Sequence, residues 1–447
     1  MPPKIKRRHV LKNSALLGTG LWIVGGSGCA GPPKRPSIKR KSPSEKLNIA
    51  YIGCGGRGHA NLRSTRGENI VALCDVDDER AAKVFENYPK LPKFKDFRVM
   101  LDKVKDIDAV VVSTADHTHA AASVMAMKMG KHVYCEKPLT PTIYEARIMA
   151  KVAEQTGVAT QMGNQGHSHD GARRSVEMIR AGAIGPIREV HAWSDRPKGW
   201  WPQGVDRPKE TPPVPDHLAW DLWLGPRPKR PYHSDYLPFK WRGWWEFGSG
   251  ALGDMACHIL DIFFWALEPG APTSVQAEVS DRHIETAPVW EIIHWQFPAR
   301  KNMPPVKLTW YDGGKQPPQE LIHGQKMVGN GSLFIGDHGT LYVPDAYGGR
   351  SILLPKDKYV NYVAPMPTIP NSPGHHAEWI RACKTGNPTG SHFGYSGPMT
   401  ETVLLGCIAA RVKDGPIEWD PVSMRVTNVP AGNLFVRPPT YRKGWTL

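Results

Sequence analysis

The sequence predicts an α/β protein in two parts: an N-terminal doubly wound parallel sheet, then an α+β half built on one open, largely antiparallel sheet. Three observations predict this. Short apolar strands alternate with helical stretches up to about residue 165, a glycine-rich turn follows the first strand, and strand-like runs with fewer helices fill the remainder. At 447 residues the chain has room for two cores, and its 40% hydrophobic and 22% charged content is that of a folded globular body.

The first thirty residues stand outside that fold. Basic "KIKRRHVLK", apolar "ALLGTGLWIVGG" and small "SGCAG" have the layout of an export signal over residues 1–30, followed by a basic Pro-rich linker over 31–46. Arg7-Arg8 with Val10, Leu11 and Lys12 resembles the twin-arginine class, although Lys6 stands where Ser is usual. The expected location is exported and periplasmic. Membrane contact is expected only through this signal or through Cys29, a candidate lipid-attachment site with Gly26 where Leu is usual. Of the +15 formal charge, most lies in residues 1–46, which hold eleven Lys or Arg against the single acid Glu45. The rest of the chain is close to balance, so no nucleic-acid partner is expected. Seven cysteines, with no CxxC pair, read as buried small hydrophobes.

Residues 47–165 read as the nucleotide-binding half. "KLNIAYIG" leads directly into "GCGGRG", where Gly53, Gly55 and Gly58 have the G-x-G-x-x-G spacing, and Gly56 and Arg57 complete a loop that can open a helix. Glycine is needed there because the backbone must turn tightly, approach a pyrophosphate without a Cβ in the way, and aim helix N–H groups at it. A lone glycine triad recurs by chance. Here a second strand, "NIVALCD", ends at Asp75, twenty-two residues after Gly53, where a Rossmann sheet holds the ribose 2′-hydroxyl. An acid there favours NAD over NADP, since a 2′-phosphate would meet like charge; a surface aspartate is the plainer alternative. The alternation continues through "DDERAAKVFENY", "IDAVVVSTA", "HAAASVMAMKMG", "HVYCEKP" and "TIYEARIMAKVAEQTG". Its strand ends place Ser113 and Thr114, Asp116 to His119, and Glu136-Lys137 toward a cofactor.

At "CEKP" the chain resembles the Gfo/Idh/MocA family of glucose-fructose oxidoreductases and inositol dehydrogenases, most specifically in "GCGGRG", "CEKPLT" and "GALGDMACH". The resemblance runs from Leu47 to the C-terminal helices. It implies a second α/β domain beside the Rossmann domain, homo-oligomers, and a D-x-x-x-H helix facing the nicotinamide, matched here by Asp254 and His258. Residues four apart share a helix face, although an acid and an imidazole on so apolar a helix also suit a purely structural pair. Oxidising a sugar alcohol needs a hydride acceptor, a base and a cation to stabilise the alkoxide. The resemblance implies NAD, His258 and Lys137 in those roles, with Asp254 orienting the substrate hydroxyls or His258. His119 matches a histidine often found in the family, a capping role being the alternative, and Ala115 departs from the usual proline.

The second half is expected over residues 166–447, with strands "IREVHAWS", "SVQAEVS", "VWEIIHWQF", "VKLTWYDG" and "GTLYVP". Between residues 193 and 245 lies a Pro-dense insertion with eight tryptophans, a composition suited to sugar rings with their apolar faces and polar rims. Most of these tryptophans are expected to pack the loop. Trp241, Arg242, Trp244 and Trp245 directly precede the D-x-x-x-H helix and are the candidate substrate contacts, together with Asn164, Gln165 and His167 at the crossing between halves. "HSH" and His375-His376 suggest metal ligands, but no convergent set has metal spacing, and no metal is expected. Three functions follow: an NAD-dependent oxidoreductase of a sugar, glycoside or cyclitol hydroxyl; a redox-neutral glycosidase or lyase that oxidises, eliminates and re-reduces; and a non-catalytic sugar-binding protein.

Overall fold

The computed structural model describes residues 38, 40–412 and 415–447, all within one compact unit, Pro36–Leu447. The export signal expected over residues 1–30, nearly all of residues 31–39, and Cys29 lie outside the described residues.

Six parallel strands form the first sheet: β1 (Asn48–Ile52), β2 (Asn69–Cys74), β3 (Lys93–Phe94), β4 (Ala109–Val112), β5 (His132–Cys135) and β6 (Thr160–Met162). Their spatial order is β3-β2-β1-β4-β5-β6, so the order reverses between β1 and β4, where such sheets bind ligand. β4 and β5 are buried along their whole length, as strands covered by helices on both faces must be. The helices are α1 (Arg57–Ser64), α2 (Asp78–Asn87), α3 (Phe97–Lys103), α4 (Asp116–Lys128) and α5 (Ile143–Thr156). Local chemistry sets their ends. Asp77 accepts from Arg80 N at 3.0 Å to cap α2, Thr142 caps α5 through Glu145 N, and Gly157, at φ +70°, stops α5 in the left-handed region.

After α6 (Asp170–Arg180), the chain enters a nine-stranded sheet at β7 (Ile187–Trp193) and crosses α7 (Trp220–Leu224), α8 (Gly250–Ile259) and α9 (Asp261–Leu267). The other strands are β8 (Ser274–Val279), β9 (Glu291–Phe297), β10 (Val306–Tyr311), β11 (Gly331–Gly336), β12 (Gly339–Val343), β13 (Ile352–Leu354), β14 (Ile417–Asp420) and β15 (Arg425–Val426), with α10 (His375–Thr385) and α11 (Phe393–Arg411) before β14. The order is β13-β12-β11-β7-β10-β9-β8-β14-β15, antiparallel throughout except for the β7–β10 pair. The expected fold class is borne out. Strands β11, β13, β14 and β15 were not expected: "GSLFIG" is bounded by glycines, and the others are two to four residues long, too short for a periodic signal.

The two sheets share a core. α11 packs on α5 from the first half and on α8, β8 and β9 from the second. The approach depends on Gly406, where a Cβ would meet Leu252 and Trp295 side-chain atoms at 2.7 Å. Trp295 and Trp310 are fully buried there, each worth roughly 4–6 kcal/mol of gross apolar burial at ~25 cal/mol per Å². This packing presses α8 against the carboxyl ends of the first sheet. Among the described residues no single helix is long and apolar enough to cross a membrane.

Candidate active site

The glycine turn is built for close backbone approach. A Cβ on Gly58 would lie 1.9 Å from the Gly53 carbonyl oxygen, and one on Gly53, itself at φ +83°, 2.6 Å from that of Ser113. α1 starts at Arg57 with no side-chain cap on its first turn, and while Gly58 N is taken by Gly55 O at 3.0 Å, the Arg57 and His59 N–H groups are left for an anion. Asp75 closes the loop from the end of β2: its Oδ2 accepts from Cys54 N at 2.6 Å and Gly55 N at 3.3 Å. Glu136 Oε1 accepts from Arg57 Nε at 3.0 Å and Asn61 Nδ2 at 2.8 Å, and Arg57 Nη2 reaches Gln165 Oε1 at 3.0 Å. The loop sterics, the helix start and the Asp75 carboxylate fit a dinucleotide.

These residues border a cavity of about 500 Å³ whose opposite wall is α8 and the aromatic insertion. Lys137 and His258 both line it. Lys137 Nζ donates to Asp254 Oδ1 at 2.7 Å and to the Asp254 backbone oxygen, and Arg242 Nε donates to the same Oδ1 at 3.0 Å. Burial alone would raise the Asp254 carboxyl, but the Lys137 and Arg242 charges outweigh it and hold the group well below the usual carboxylate range. Arg242 is braced in turn, its guanidinium 4.1 Å from the Phe239 ring and 4.3 Å from the Trp241 ring. Burial, reinforced by the Lys137 charge, pushes the His258 imidazole far down and keeps it neutral. Its Nδ1 is enclosed without a hydrogen-bond partner. Asp254 is therefore engaged by the two cations and does not hold His258 Nδ1, contrary to one of its two expected roles.

Of the residues read from the sequence, Gly53, Gly55, Gly56, Arg57, Asp75, Ser113, Thr114, Glu136, Lys137, Gln165, Trp241, Arg242, Asp254 and His258 line this cavity. Five others do not. His119 bridges the Pro138 and Thr114 backbone oxygens at 2.9 and 3.1 Å. Asn164 and His167 turn toward the buried carboxylate of Asp261, at 3.1 and 2.9 Å, because α9 brings that charge behind the cavity wall. Trp244 donates to Asp235 O at 2.7 Å inside the insertion's own core, and Trp245 lies under the Arg411 guanidinium at 5.2 Å.

The cavity also contains groups that sequence reasoning missed or left without a role. Arg80, Arg196 and Trp200 line it, with the Arg196 guanidinium stacked 3.7 Å over Trp200. Tyr347 sits with its ring 5.0 Å from that of His258. Asp116, at the start of α4, lines the same wall with its Oδ1 unpartnered; burial pushes its carboxyl up to about 8 against the pull of Arg242 and Lys137. The signal that marks Asp116 in sequence is its place at a strand end. A larger cavity of about 890 Å³ lies elsewhere, bordered by parts of α5 and α11, by the loop stretches 157–159 and 386–389, and by the closed Arg147–Glu401 pair at 2.6 Å. Among the described residues no group of three or more His, Cys, Asp or Glu is placed to hold a metal.

The chain is similar to known proteins in sequence and in fold. The chain is 31% identical over 198 residues to a glycosyl hydrolase family 109 protein of Solibacter usitatus, covering 41% of this chain and 44% of the relative. It is 27% identical over 151 residues to an inositol 2-dehydrogenase of Salmonella paratyphi B, covering 32% and 45%. The chain thus spans about half the length of the curated relatives it matches. In fold it is similar to the WlbA dehydrogenase from Bordetella pertussis, solved with NADH and UDP-GlcNAcA, at a TM-score of 0.59, 18% identity, and 84% and 99% coverage. The family model for the NAD-binding Rossmann fold of the GFO_IDH_MocA oxidoreductases matches residues 47–164, and the model for their C-terminal alpha/beta domain matches residues 197–303. With both of its halves matched, over just over half of its length, the chain belongs to the Gfo/Idh/MocA oxidoreductase family.

Proposed function

We propose that this chain is an NAD-dependent oxidoreductase acting on a hydroxyl of a sugar, glycoside or cyclitol. The observation that carries the reading is that Lys137 from the first sheet and His258 from α8 border one cavity with the glycine turn. Bound NAD supplies the hydride acceptor. Two of the three Lys137 N–H donors go to Asp254, leaving one for the reacting oxygen, where a fixed ammonium stabilises the developing alkoxide. Neutral His258 accepts the hydroxyl proton at Nε2, since Nδ1 is enclosed. The burial and positive neighbour that keep the ring neutral also drive that proton off again. Trp241, Trp200 and Arg242 offer aromatic faces and a donor for a sugar ring.

Tyr347 supports the redox-neutral version of this reading. A phenol beside neutral His258 can hand its own proton to that imidazole and, as phenolate, take the proton next to a newly formed carbonyl, as transient oxidation, elimination and re-reduction require, and the similarity to a family 109 glycosyl hydrolase points the same way. The export reading of residues 1–30 belongs with it, because a protein moved folded to the periplasm would carry its NAD along.

The test is incubation of purified protein with sugars, cyclitols and nitrophenyl glycosides, following NADH absorbance and aglycone release together. Product in step with NADH supports net oxidation, and aglycone without net NADH supports the redox-neutral cycle. Lys137→Ala and His258→Ala are expected to abolish turnover while keeping the nucleotide; normal turnover in either removes its assigned role.

A further inference from the structure

Past Asp75 the cavity continues into a recess of about 50 Å³ at the carboxyl ends of β1 and β2. The recess shares Gly53, Asp75, Val76 and Thr114 with the main cavity. In a doubly wound sheet the acid after β2 holds the ribose, so the recess lies on the adenine side.

Two segments from outside the sheet close it. The first is α7 with the turn before it. Ala219 N donates to Val76 O at 2.8 Å, Asp78 N to His217 O at 3.0 Å, the His217 ring bonds Asp77 Oδ1 at 2.9 Å, and His117 Nε2 bonds Trp223 O at 2.8 Å. The second is the C-terminal tail. Trp445 is buried beneath the Arg98 guanidinium, 4.0 Å from the ring, and Arg98 Nη1 donates to Gly444 O at 2.7 Å. Arg442 joins the two segments, donating to Asp221 Oδ1 at 2.6 Å and, through Nε, to Gly225 O at 2.9 Å.

We propose that α7 and the C-terminal tail form a two-part strap over the adenine side of the nucleotide site, holding NAD on the protein from one turnover to the next. This rests on the NAD reading above. Leu222 and Trp223 of α7 and Trp445 of the tail line the recess, so the adenine side opens on that face only when Trp223 and Trp445 part. Both anchors lie far in sequence from the glycine turn: the first bonds the main chain just after β2, and the second is held by the Arg98 side chain of α3. Retention suits the redox-neutral cycle: the hydride taken from a substrate C–H returns to a substrate-derived carbonyl in the same site, and no free nucleotide is consumed.

The experiment measures nucleotide release, not turnover. Wild type, Trp445→Ala, Trp445→Phe and Arg98→Gln are loaded with NAD and passed through gel filtration, the retained nucleotide is measured after heat release, and its loss is timed on dilution; circular dichroism checks each fold. Wild type is expected to keep its NAD. Arg98→Gln, a change at a partly exposed side chain, and Trp445→Ala are expected to lose it at least about tenfold faster, the factor given by ~1.4 kcal/mol, with Trp445→Phe in between. If Trp445→Ala does not fold, Arg98→Gln decides. Wild-type release rates in folded variants, or free NAD exchange in wild type, overturn the strap and leave the NAD reading standing. A wild-type protein that neither holds NAD nor takes it up overturns both.

Discussion

Replacing Asp254 with asparagine keeps the shape of the site and removes the one charge that Lys137 and Arg242 share. Both cations bond the same carboxylate oxygen, with side chains only 13% and 19% exposed. Unit charges about 4 Å apart at an effective dielectric of about 20 attract by about 4 kcal/mol, and part of that offsets the cost of burying them. Removing one partner of such a buried cluster costs about 3–5 kcal/mol. Without that carboxylate the Lys137 ammonium and the Arg242 guanidinium are left beside each other with no counter-charge. Denaturant unfolding of wild type and Asp254→Asn is expected to give a deficit of about 3–5 kcal/mol at pH 7, narrowing below about pH 4, where wild type loses the stability carried by its depressed Asp254 carboxyl. A deficit below about 1 kcal/mol at pH 7, or one that does not narrow in acid, refutes the shared-anion account.

Other perturbations probe separate parts of the site. Gly58→Ala drives a methyl group into the Gly53 carbonyl and is expected to weaken NAD binding by more than about 100-fold in calorimetric titration; unchanged affinity would exclude the turn as the nucleotide site. Asp116 stays protonated in the folded protein to about pH 8 and ionises near 4 when unfolded, so it withdraws stability as the pH rises between those values. Asp116→Asn removes that slope, and its melting temperature should fall less than that of wild type from pH 5 to pH 8; parallel curves would contradict the burial effect. Trp244→Ala empties a fully buried position and is expected to cost about 3–5 kcal/mol, whereas Trp241→Ala, at the cavity wall, costs far less. Equal losses in unfolding experiments would contradict the division between packing and cavity-lining tryptophans.

Where the chemistry is carried within one element, the residues could be read directly. The glycine turn follows β1 within a few residues, and Asp254 and His258 share one face of α8 because the helix repeat puts them there. Lys137 ends a buried strand, and the parallel order of the first sheet sends that end to the cavity. Asn164, His167, Trp244 and Trp245 have the same residue types as true cavity groups and lie just as near in sequence. What separates them is Asp261 and Arg411, from other elements, and the Asp235 carbonyl within the insertion, which draw them away.

The amino-acid order alone was enough for the class of fold, the nucleotide turn and the acid–imidazole pair, because these follow from backbone period and steric demand over short spans. The partners of Asp254, 117 residues from Lys137, and the presence of Asp116, Arg196 and Tyr347 around one space were decided when α8 and α11 packed between the two sheets. Distances across such a packing depend on side-chain volumes from the whole shared core, so no local stretch encodes them.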